Sequence, residues 1–138
     1  MNKYTDITNS FLRKWPSFST GDTVSVTYKI DENRTQTFTG IVLYVKGSGI
    51  SATFCVRKIG ANSIGVEKIL PLHSPVITEI KVEKRGKVRR NKIFYMRERV
   101  GKSALKITED KNYVEPEAFE VIEETPRSEE VFTVATED

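Results

Sequence analysis

Eleven cations fall within 26 residues: Lys81, Lys84, Arg85, Lys87, Arg89, Arg90, Lys92, Arg97, Arg99, Lys102 and Lys106. Only Glu83 and Glu98 oppose them in that stretch. A segment so dense and so one-signed calls for a counter-charge. A backbone of closely spaced phosphates supplies one, and binding it releases condensed counterions. Phe94 and Tyr95 sit inside the run, and nucleobases stack on such rings. They are adjacent, so on a strand they point to opposite faces and at least one belongs to the core. Most charge runs are solvated faces. This density, at a predicted hairpin, favours nucleic acid.

The other reactive residue types are sparse. The chain has one cysteine, Cys55, and one histidine, His73. No intrachain disulfide can form, which points to a reducing compartment. One Cys and one His cannot build a structural zinc site of the usual kind. Ser74 neighbours His73, but a dyad needs side chains that converge in space. His73 reads as a structural hydrogen-bonder or an RNA contact. Cys55 alternates with Phe54 and Val56 and reads as a small buried residue. Gly47-Ser48-Gly49 fits no phosphate-cradling fingerprint and reads as a tight turn. Residues 1–107 hold eight carboxylates, with no pair spaced for acid–base work, and Asp22 reads as a turn-former. An enzyme, a resident metal, a cofactor and a small-molecule substrate are therefore not expected.

The elements that must position the cations read mainly as strands. Val24, Val26, Tyr28 and Ile30 alternate with polar residues over Asp22–Ile30. Thr35–Lys46 is a second strand, with a bend expected at Gly40. Ser51–Ile59 and Ile64–Leu70 come next, separated by the Gly60–Ser63 loop. Val76–Val82 alternates with Val76, Thr78, Ile80 and Val82 on one face, and a sixth strand is predicted over Val88–Arg97. Short strands with glycine-rich turns indicate a small closed or half-closed β-barrel. Ahead of it, Ile7, Phe11, Leu12 and Trp15 could line a short helix ended by Pro16, with Trp15 anchoring the segment.

Charge divides the chain. Residues 1–107 carry 20 basic and 8 acidic residues, a net of +12. Residues 108–138 carry 2 and 11, a net of −9. Three parts are expected: an N-terminal segment 1–20, a barrel with its basic extension 21–107, and an acidic tail 108–138 that is disordered unless docked. Three readings of the tail stay open: a shield folded over the basic surface, a contact for a neighbouring protein, or a plain solvated extension. No apolar run approaches the roughly 20 residues of a spanning helix, so no membrane role is expected. Met1–Ser10 does not read as a secretory or transit signal.

Several stretches together resemble bacterial large-subunit ribosomal protein nineteen. They are Gly21-Asp22-Thr23-Val24, Phe38-Thr39-Gly40-Ile41-Val42, Thr53–Ile59, Gly65-Val66-Glu67-Lys68, Pro71–Pro75, Arg85–Arg97 and Gly101-Lys102. Their order and spacing carry the likeness from about Pro16 to Ile107. The Asp31–Arg34 loop is shorter than the usual pattern, the Gly60–Ser63 loop slightly longer, and the tail lies outside it.

The resemblance implies an SH3-like barrel with a basic extension, in a non-enzymatic structural constituent of the large subunit. It implies binding of large-subunit rRNA at the face toward the small subunit. Intersubunit bridges with small-subunit rRNA and contacts with neighbouring ribosomal proteins come with it, and the lack of a transit-like N-terminus favours the cytoplasm of a bacterium over an organelle. The expected main contacts are Lys84, Arg85, Lys87, Arg89, Arg90, Lys92, Arg97 and Arg99, with Arg57, Lys58 and Lys102 secondary. The alternatives are a free SH3-like protein- or RNA-binding module outside the ribosome, and a small enzyme built around His73 or Cys55.

Overall fold

The structure is a computed structural model, and it describes residues 3–112. Five strands form one antiparallel sheet: β1 (Thr23–Asp31), β2 (Arg34–Lys46), β3 (Thr53–Ile59), β4 (Gly65–Pro71) and β5 (Ile77–Lys84). Their order is β4-β3-β2-β1-β5. The two outer strands do not pair, so hydrogen bonds do not close the sheet. Side chains do the remaining work: Leu70 of β4 and Ile77 and Ile80 of β5 share one core cluster with Val24, Val26 and Phe54. This is the half-closed form of the barrel that the alternation implies. Lys68 of β4 lies 3.6 Å from the Tyr28 ring of β1, spanning the same gap.

Period-two patterning explains β1. Val24, Val26 and Tyr28 are buried, while Thr23, Ser25 and Thr27 are partly exposed. Hydroxyl pairs fix its register with β2: Thr27 meets Thr37 at 3.1 Å, and Thr39 donates to Ser25 at 3.0 Å. β2 changes character midway. From Gly40 to Leu43 every residue is buried, because both faces of the strand are covered. The register shift in β2 falls between Val42 and Tyr44, not at Gly40. Gly40 instead lets the Arg57 carbonyl approach, where a Cβ would overlap it.

Three expectations are corrected. In β5 the buried residues are Ile77 and Ile80, while Val76 and Thr78 are exposed. The β1–β5 register slips between Thr27 and Tyr28, and a slip of one residue reverses the phase. The helix, α1 (Lys3–Ser10), ends well before Pro16, and Ile7 and Phe11 are 58% and 59% exposed. The chain beyond it is irregular yet tied down. Trp15 Nε1 donates to the Leu72 carbonyl at 2.8 Å, Arg13 N–H to His73 Nδ1 at 3.0 Å, and Arg13 Nη1 to the Ile77 carbonyl at 2.6 Å. Trp15 thus anchors this segment, and His73 serves as a hydrogen-bond acceptor.

The third correction concerns Val88–Arg97, which is not a strand. Bends lead to a 3₁₀ turn over Phe94–Arg97, and a second turn covers Gly101–Ser103. Ile93 and Met96, three apart, fall on one side of the turn and are both buried. They close a second cluster with Ile41, Leu43 and Cys55 on the outer face of β2 and β3. The Ile93 N–H donates to the Leu43 carbonyl at the bulge, at 3.0 Å. The basic extension is therefore packed back on the sheet, not projected away from it.

Candidate nucleic-acid interface

Two carboxylates root the extension. Asp22 is 1% exposed. Its Oδ2 accepts from Arg85 Nη1 at 2.8 Å and from Ser19 N–H at 2.8 Å, and its Oδ1 accepts from Gly86 N–H at 3.0 Å. Asp22 does shape the strand entry, but it also clamps the start of the cationic run to the sheet. Gly86 makes this possible, since a Cβ there would overlap the Gly21 carbonyl. Gly86→Ala is expected to cost about 1–3 kcal/mol, the usual penalty of overpacking. Thermal melting checks this, and an unchanged midpoint would contradict the close approach.

Glu67 of β4 is the second root. It accepts from Arg57 Nη1 at 2.8 Å and takes two bonds from Arg97, Nε to Oε1 and Nη2 to Oε2, each 2.8 Å. This fork fixes the 3₁₀ turn against the sheet. The Arg97 bonds, ahead of the opposing effect of burial, hold the Glu67 carboxyl below its ordinary range, and the Arg57 bond adds to them. A carboxyl depressed in the fold contributes stability above its unfolded pKa and loses it as pH falls through the folded value. Hydrogen-exchange protection at Met96 should therefore survive acidification through about pH 4, the unperturbed carboxylate range, and fail only in stronger acid. Loss already near pH 5 would contradict the clamp.

The eleven residues singled out in the sequence divide by what they touch. Arg57, Arg85 and Arg97 are engaged by carboxylates, with side chains 11%, 18% and 45% exposed. Lys84 pairs with Glu109 at 3.0 Å on the surface. Lys58 sits 4.6 Å from the Phe38 ring. Arg99 lies 4.7 Å from the Tyr95 ring and donates to the Lys106 carbonyl at 3.1 Å. Lys87, Arg89, Arg90, Lys92 and Lys102 are exposed and in no ion pair among the described residues.

Tyr95 is partly buried, with the guanidiniums of Arg90 and Arg99 5.8 and 4.7 Å from its ring, while Phe94 packs edge-on against Tyr44 at 5.6 Å. Both rings thus already have partners. Sequence reasoning missed Asp22 and Glu67 as organisers. Their partners lie 63 and 30 residues away along the chain, beyond any local pattern.

Cys55 is fully buried, and burial, with Glu67 nearby, pushes its thiol up, away from the nucleophilic thiolate. The arrangement is that of a β-sheet scaffold that holds a cationic surface. Residues 3–110 match the family described as Ribosomal protein L19, and the chain belongs to that family, whose members are structural and non-enzymatic components of the ribosome.

Several relatives carry the name large ribosomal subunit protein bL19. The one from Thermosipho africanus is 55% identical over 94 residues, covering 66% of this chain and 82% of the relative. Those from Borreliella afzelii and Chloroherpeton thalassium are 52% and 53% identical over 99 and 97 residues. These alignments cover 70% and 68% of this chain, and 82% and 79% of the relatives.

Proposed function

We propose that the chain is a structural constituent of the bacterial large ribosomal subunit, working in the cytoplasm, and that it binds large-subunit rRNA through its extension. The reading divides it into an N-terminal segment 1–20, a folded body 21–107 and an acidic tail 108–138. Lys87, Arg89, Arg90, Lys92 and Lys102 neutralise phosphates directly. Lys84 and Arg99 flank them, Lys58 adds charge on β3, and Arg57, Arg85 and Arg97 combine structural pairing with contributions to the field. Such cations position RNA by backbone and shape rather than by base sequence. The proposal extends to a location at the face toward the small subunit, bridges to small-subunit rRNA and contacts with neighbouring ribosomal proteins, a part of the reading that rests on the family resemblance alone.

The observation that carries it is the exposed cation row held on a packed second core. A fixed row meets a phosphate backbone without first losing chain entropy. The test is sedimentation of tagged protein in a bacterial lysate, with crosslinking of the fractions. Co-migration with large subunits and crosslinks from Lys87 and Lys92 to their RNA are expected. Protein that stays in the ribosome-free fraction would favour the free binding module instead.

A further inference from the structure

The extension runs beside the beginning of the acidic tail. Gly86 bridges Glu109 in antiparallel pairing. Lys87 N–H donates to the Thr108 carbonyl at 2.8 Å, and Asp110 N–H to the Arg85 carbonyl at 3.1 Å. Asp110 itself lines a shallow, open groove. Its cations are Lys87, Arg89 and Arg90, and its apolar lining includes Phe18, Val45 and Val88. The described chain stops at Asn112, two residues further on.

The next twelve residues of the sequence have the complementary chemistry. Residues 113–124 read Tyr-Val-Glu-Pro-Glu-Ala-Phe-Glu-Val-Ile-Glu-Glu, five carboxylates interleaved with apolar side chains and no cation. Twelve residues reach up to about 40 Å when extended. Tethering holds the effective concentration of such a segment near the millimolar range, so weak contacts suffice to populate the docked form.

We propose that residues 113–124 occupy this groove in the free protein, carboxylates on Lys87, Arg89 and Arg90, and thereby compete with RNA. This rests on the RNA-binding reading and adds a regulation to it. A docked tail lowers affinity by the fraction of time the groove is open: nine-tenths docking weakens binding about tenfold. RNA that offers only a generic backbone is then turned away. A site offering many further contacts displaces the tail.

Two full-length triple variants test this with equal changes in net charge: Glu115→Gln/Glu117→Gln/Glu120→Gln and Glu129→Gln/Glu130→Gln/Glu137→Gln. Without RNA, the first is expected to move the amide resonances of Lys87–Asn91, and the second to leave them in place. With a 20-base-pair RNA duplex of arbitrary sequence at low salt, the first should bind about five- to tenfold tighter than the natural chain, the second nearly as the natural chain does. Unmoved Lys87–Asn91 resonances in the first variant, or equal gains from both, would overturn docking in favour of a plain net-charge effect. The resonance comparison contains no RNA, so it stands even if the RNA reading fails.

Discussion

Asp22→Ala is expected to destabilise the protein by about 3–5 kcal/mol, the cost of stripping one partner from a buried ion pair. The carboxylate is almost wholly inaccessible and satisfies the Arg85 guanidinium together with the Ser19 and Gly86 amides. Its removal takes the buried acceptor away from all three donors, with little water to replace it. At about 4–8 °C per kcal/mol for a domain of this size, the melting midpoint should fall by roughly 15 °C or more.

Asp22→Asn keeps the shape but turns an amide NH₂ toward Arg85 or Gly86, so it should rescue little. A double-mutant cycle with Arg85→Ala isolates the pair, and the two losses should be far from additive. Additive losses, or a midpoint shift below about 3 °C, would mean that the clamp is not what roots the extension.

The second large effect is on binding. Lys87→Gln, Arg89→Gln, Arg90→Gln and Lys92→Gln combined should leave the fold intact, because all four side chains are exposed and outside the ion pairs described. RNA affinity should fall strongly at low salt, similarly for unrelated RNA sequences, and the magnitude of the log–log salt slope should drop by about four, one per lost phosphate contact. The circular dichroism spectrum and melting midpoint should not move. A loss confined to particular RNA sequences would instead point to base readout.

β1 was legible because its burial keeps to period two, and β2 to β4 because their short apolar runs sit between turns that carry glycine or polar residues. The density of cations was legible too, since it is a property of composition. Less legible was whatever depends on distant partners. The bulge in β5 reverses the phase of Ile77 against the sequence alternation, and only pairing with β1 reveals it. The predicted strand over Val88–Arg97 failed because Ile93 and Met96 are spaced by three, which suits a helical turn and not a strand. That spacing was the available signal. The N-terminal helix stops at Ser10, well before Pro16, and Arg13 and Trp15 bind the next stretch of chain onto the body. The tail beyond Asn112 lies outside the described residues, so its expected disorder finds neither support nor correction there.

The central claim is that the fixed cations of this extension neutralise RNA phosphates. Titrating the binding of the full chain to large-subunit rRNA across salt tests it most directly. If six to ten phosphates are engaged, affinity should fall by about 10³–10⁵ between 50 and 200 mM salt. An affinity that stays flat over that range would contradict it.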